Sequence, residues 1–238
     1  MRVSPDAADP SALVASPHAH THDQSRDRPV TSTVTPTVTV SDHRLRTYGL
    51  VGAVASFVGA VCAVVIIAWE PMVAEDRFSY PFDAGWFAAW QVVFAVQHAA
   101  MLPLFAGLLI LERRHPSRAL RIGTWVALAG QVALTVLELV AITAADSPVD
   151  TGRGAVVGGL YGVPMVLLGL GMVVAGVGAL RAGLFEGAAR WLPLSLGVYV
   201  FVVLFPAVFG PMVAGRIAIG VWLLGFAALG LAIRRSAR

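Results

Sequence analysis

Glu138 stands inside an apolar run, LTVLELV, where a carboxyl must be paired, wetted or neutral, because an unpartnered polar group is expensive in hydrocarbon. His98 lies in another such run and is the only histidine in any of them. Other polar residues of the apolar runs include Gln91, Gln97, Thr124, Gln131, Thr135, Tyr161, Ser195 and Tyr199. Their spacing carries information. Thr124, Gln131 and Glu138 follow one another at seven-residue intervals with Thr135 between, so all four share one stripe of a helix. Gln91 and His98 are also seven apart, on the preceding run.

Two chemistries fit that pattern. In one, Glu138 is a working carboxyl that binds a cation or relays protons, with His98 as a second titratable group and Gln91, Gln131, Thr135 and Tyr161 orienting them. In the other, Glu138 is a neutral group that only hydrogen-bonds across a helix pair, a contact that contributes about 0.6 to 2 kcal/mol. Trapped water or ligand beside Glu138 would favour the first, and a dry, filled seam the second.

The elements that must hold these residues follow from composition. The chain has 238 residues, of which 57% are apolar and 13% charged, and its mean hydropathy is +0.76, so an ordinary water-soluble globule is excluded. Six stretches are long enough to cross about 30 Å of hydrocarbon as helices: 48–69, 84–111, 122–145, 155–180, 191–209 and 217–233. The expected fold class is an all-α polytopic bundle over 43–238. A re-entrant final hairpin with five spans is the alternative, because only Gly210 to Arg216 separate the last two stretches. Pro103, Pro164 and Pro206 each remove a backbone donor and are expected kinks. No self-similarity relates the two halves, so the inverted-repeat argument for a transporter finds no support.

The second and third spans are joined by a short basic loop and run antiparallel, which makes them neighbours. His98 and Gln131 then fall near mid-membrane, Glu138 roughly 7 Å further out, and Tyr161 at a similar depth from the fourth span. A polar seam between these three spans is the expectation.

All 17 basic residues are Arg. Arg44, Arg46, Arg113, Arg114, Arg118 and Arg121 flank one side, with Arg181, Arg190, Arg234, Arg235 and Arg238. Only Arg77, Arg153 and Arg216 flank the other. That asymmetry places both termini in the cytoplasm and explains the basic isoelectric point better than a nucleic-acid partner does. Trp69, Trp86 and Trp90 would form the outer aromatic belt, Trp125 and Trp191 the inner.

Residues 1–42 are rich in Ser, Thr, Pro, Asp and His and read as a disordered cytoplasmic tail. His18, His20 and His22 within it are incidental composition or a weak metal site without fixed geometry. Cys62 is a lone cysteine, so a disulfide framework and a cysteine metal site are excluded. No metal, haem or other cofactor is expected. Hydrolase, zinc-protease and nucleotide-binding motifs are missing, and the protein reads as non-enzymatic. Gly154, Gly158 and Gly162 form a repeated GxxxG for close helix packing within the bundle or across a homodimer.

Arg190-Trp191 leading into a helix, Pro206 near its far end and a short final helix ending in Arg make the last 60 or so residues resemble uncharacterised multi-pass membrane proteins of GC-rich actinobacteria. The resemblance implies a bacterial cytoplasmic membrane and no particular activity. The leading expectation is an accessory or interaction bundle whose partners are lipid and another membrane protein. A small proton-linked carrier or ion-responsive sensor is the alternative, and an intramembrane enzyme a distant third.

Overall fold

The computed structural model describes residues 40–237. Six helices in it are long and apolar enough to cross a membrane, and the protein is a polytopic helix bundle. In chain order the helices are α1 (Val40–Ile67), α2 (Ala84–Arg114), α3 (Arg118–Ala141), α4 (Gly152–Leu160), α5 (Gly162–Arg181), α6 (Leu192–Tyr199), α7 (Phe205–Val208) and α8 (Met212–Arg235). The fourth span is α4 plus α5 and the fifth is α6 plus α7. Asp83 caps α2 by accepting from the Trp86 amide at 2.8 Å, and Ser117 caps α3 by accepting from Leu120 at 3.3 Å. Arg113 and Arg114 close α2, and Arg234 and Arg235 close α8, where positive charge suits the helix C-terminus.

Side chains are sorted by size. On α1 the buried face is Gly49, Gly52, Ala53, Ser56, Gly59 and Ala60, while Val54, Phe57 and Val64 point outward. Apolar burial gives little drive where lipid is as apolar as the core, so association rests on close packing of small residues. Neighbours follow the order α1, α2, α3, α5, α6, α8 and back to α1, which closes a ring. Three seams bring backbones into contact, one of them where Gly176 of α5 faces Leu194 of α6 and Gly197 of α6 faces Val173 and Gly169 of α5. Gly123 and Gly130 of α3 face Gly171, Leu168 and Ala175 of α5, and Gly49 of α1 faces Gly230 of α8.

Both ends of the bundle are tied. At the end holding Val40 and Ala237, Arg114 pairs with Asp42 at 2.6 Å and Arg121 with Glu112 at 2.8 Å, while Arg46 donates to the Ala237 carbonyl at 3.4 Å. At the opposite end the two long loops zip together. Phe78 donates to Ser147 at 3.0 Å, Val149 to Asp76 at 2.8 Å, and the Arg77 guanidinium to the Asp146 carbonyl at 2.7 Å.

Several boundaries depart from expectation. The helix begins at Val40 and not at 48, because Asp42, 4% exposed, is anchored by Arg114 and extends α1 beyond the apolar run. The expected tail therefore loses residues 40–42 to the helix, and the remainder of it, with His18, His20 and His22, lies outside the described residues. Pro103 does not interrupt α2. Pro164 leaves the Leu160 carbonyl without its helical donor, and the fourth span opens at Tyr161 between α4 and α5. Pro206 is preceded by a π-turn over Val200–Leu204, in which Phe205 donates to Val200.

Within this chain the repeated GxxxG makes no close seam between two helices. Gly154 is packed against the Pro148 carbonyl of a loop, Gly158 has the Phe78 ring at ordinary contact distance, and Gly162 has open space. Inside this chain the spacing serves loop contact at one end and nothing at the other. The close helix seams use glycines of α1, α3, α5, α6 and α8. Trp69, Trp86 and Trp90 form a cluster with Phe82 and Phe94 in place of a simple belt: Trp69 and Phe82 rings meet edge to face at 5.2 Å, and Trp90 and Phe94 stack at 5.7 Å.

Candidate functional site

The heptad spacing on α3 turns Gln131 and Glu138 toward α2, and the antiparallel run of α2 brings His98 between them. His98 Nε2 lies 3.3 Å from Glu138 Oε1. The Gln131 amide donates to the His98 carbonyl at 3.0 Å and faces His98 Nδ1 at 3.3 Å. From the break between α4 and α5, the Tyr161 hydroxyl donates to Glu138 Oε2 at 3.0 Å and takes Gln91 Nε2 at 3.4 Å. The opening created by Pro164 thus sits at the residue that reaches the carboxyl.

Five of the six expected polar residues therefore meet: Glu138, His98, Gln91, Gln131 and Tyr161. Thr135 does not join them, because its hydroxyl donates to the Gln131 carbonyl one turn back at 2.9 Å, the usual fate of a helical threonine. Gln97, which also borders the cavity inside the ring of helices, donates to the Ala55 carbonyl at 3.2 Å and fixes α1. Tyr199 donates to Ala218 at 3.1 Å and Ser195 to Leu192 at 3.1 Å, so neither contributes.

The direction of these bonds is informative. With the Gln131 amide nitrogen facing it, Nδ1 is placed to accept, and the neutral imidazole tautomer that fits this contact carries its proton on Nε2, toward Glu138. Tyr161 donates to the other carboxylate oxygen. Both neighbours present donors, which is the arrangement an ionised carboxylate requires. Gln131 Oε1 is left buried without a partner.

The seam is not closed. Gln91, His98, Glu138 and Tyr161 line a cavity of about 660 Å³ inside the ring of helices. Glu75, Arg77 and Tyr80 of the first long loop border it at the end where the loops zip together. Its walls are mostly apolar. Neither a family model, nor a curated protein, nor a solved structure matches this chain.

A sixth polar group belongs to the site. Arg216, just past the first turn of α8, faces the same cavity, its guanidinium carbon 5.8 Å from the Phe94 ring centre. The Arg216 and Glu138 charges interact through space, but no ion pair or hydrogen bond joins the Arg216 guanidinium to another described residue. Sequence reasoning placed Arg216 in a flanking loop and counted it for topology. The available signal was its isolation: no acidic residue follows Glu186 in the chain, so Arg216 has no local partner. Among the described residues, no group of three or more His, Cys, Asp or Glu side chains is placed to hold a metal ion.

Proposed function

We propose that the protein is a proton-linked small-molecule binder of the bacterial cytoplasmic membrane, working as a carrier or sensor through Glu138 and His98. The observation that carries this reading is that the Glu138 network lines a roomy cavity and is not filled in by packed side chains. A cavity of about 660 Å³ falls within the range of ligand sites, and its mix of apolar wall and a few converging polar groups is typical of them. An accessory bundle acting through its outer helix faces has no use for such a space.

The chemistry follows from the bond directions. His98 Nδ1 is met by an amide N–H, so an arriving proton has the Glu138 carboxylate, or its shared bond with His98 Nε2, as its place. Once protonated, Glu138 has fewer lone pairs to offer, and the donors that His98 Nε2 and Tyr161 present to it must rearrange. One proton in thereby disturbs the bonds that join α2, α3 and the fourth span.

Glu138→Gln keeps the shape and removes the titration. The wild-type melting temperature in lipid nanodiscs is expected to move by roughly 3 °C or more between about pH 5 and 8, while the variant stays flat. Equal pH profiles would sink the proton-linked reading.

The Arg asymmetry supports an orientation with both termini in the cytoplasm and the cavity reached from outside. In intact cells carrying Cys62→Ala, an impermeant thiol reagent should label a cysteine placed at Asp76 and spare one placed at Arg114. The reverse pattern would invert the bundle.

A further inference from the structure

We infer that the cavity takes an amphipathic organic anion, an apolar body with a carboxylate or phosphate head, and that the head docks on Arg216. The inference rests on the proton-linked reading above and adds the chemical class of the ligand. Arg216 offers up to five N–H donors in a planar fork that matches two oxygens of a carboxylate or phosphate. Nothing among the described residues takes them up through a hydrogen bond or ion pair. Glu138, the other charge deep in the cavity, already accepts from His98 and Tyr161. The open valence of the site is therefore for an anion.

The walls fit the rest of such a molecule. Phe87, Phe94, Leu134, Met165, Ile219 and Trp222 line the cavity with aromatic and aliphatic surface. At the mouth, Tyr80 donates to Glu75 at 3.4 Å and Arg77 donates to the Asp146 carbonyl, so both mouth charges are engaged. A cationic ligand would have to displace His98 or Tyr161 from Glu138 while standing beside Arg216.

Binding an anion there couples to the proton. The ionisable groups facing Glu138 are His98 from α2, Tyr161 from the α4–α5 break and Arg216 from α8, with Glu75, Arg77 and Tyr80 at the mouth. The cavity-lining residues of α1 and of the fifth span, Gly59, Ala63, Leu204 and Val208, carry no charge. A ligand anion on Arg216 takes over part of the compensation that Glu138 has from it, and so favours the protonated carboxyl. One anion and one proton enter together, the proton forming the O–H of Glu138, and the net charge of the site is unchanged.

The test uses the full chain in phosphatidylcholine nanodiscs, titrated with hexanoate, hexanol and hexylammonium and followed by calorimetry. Hexanoate should bind in preference to the other two, and its affinity should fall by up to about tenfold per pH unit as pH rises past the titration of the site. Glu138→Gln should bind hexanoate with an affinity independent of pH. Arg216→Gln should lose about tenfold or more of the affinity, its melting in the absence of ligand still depending on pH but over a range displaced from the wild type's by loss of the charge beside Glu138, and Arg216→Lys should lose less. Adding phosphatidylglycerol distinguishes the source of the anion. Competition with hexanoate that disappears in Arg216→Gln assigns the site to a lipid headgroup, and no competition assigns it to a soluble anion. Equal binding of hexanoate and hexanol, a preference for hexylammonium, or unchanged hexanoate affinity in both Arg216 variants overturns the anion. So does an absence of hexanoate binding where the wild-type melting still shifts with pH, an outcome that leaves the proton-linked reading standing. Flat melting in the wild type defeats that reading instead.

Discussion

Gly171→Leu is expected to abolish recovery of folded, monodisperse protein, whereas Gly162→Leu should leave both yield and melting nearly unchanged. A side chain at 171 would run into the backbone of Ala127 and the Gly123 carbonyl on α3, and neither can move without parting the helices. Overpacking against movable side chains typically costs about 1–3 kcal/mol, and contact with rigid backbone costs more. Because small residues supply the attraction between membrane helices, separating α3 from α5 also forfeits the packing along the whole seam. At Gly162 the added carbons meet open space. Size-exclusion profiles of the two variants, purified side by side, check the contrast. If Gly162→Leu were the variant lost, the GxxxG would be a seam between copies of the chain.

Trp222→Ala should be the most damaging truncation in the wall of the cavity. The Trp222 side chain is buried, its ring meets Phe226 edge-on at 4.9 Å, and its Nε1 donates to the Leu196 carbonyl at 3.2 Å. That bond and the Tyr199 bond to Ala218 hold α8 against the fifth span beside the π-turn, where the regular helical ladder is interrupted. Truncating a buried tryptophan costs about 3–5 kcal/mol, which for a chain of this size corresponds to a fall in melting of roughly 10 °C. Trp222→Phe keeps most of the ring contact and loses one interhelical hydrogen bond, so it should cost about 0.6–2 kcal/mol. Thermal melts of both variants in nanodiscs test the ranking, and equal losses would show that the ring itself contributes little.

The six spans were legible because hydrocarbon thickness imposes a length that each apolar run meets, and the site was half legible for a related reason. Polar residues inside those runs are few, so the regular spacing of Gln131 and Glu138 on one helix and of Gln91 and His98 on the next was enough to set them facing each other. Three features lay beyond that reasoning. The start of α1 depends on Asp42 finding Arg114, a pairing between residues 72 positions apart that no local pattern encodes. The helix seams depend on which glycines face a neighbour, and the repeated GxxxG proved to face a loop and open space. Arg216 was hidden by its own plausibility as a flanking charge, since a topology count treats every arginine near a span end alike. The cavity is a property of the closed ring of helices and leaves no mark on any single segment.

Glu138 is expected to exchange its proton with water through the cavity, and difference infrared spectroscopy reads that carboxyl directly. Protein in nanodiscs, exchanged between buffers of roughly pH 8 and 5, should gain the carbonyl band of a protonated carboxylic acid. That band should shift on transfer to heavy water and be missing from Glu138→Gln. A difference spectrum in which wild type and Glu138→Gln are identical would show that Glu138 keeps one protonation state throughout, and the seam would then be structural.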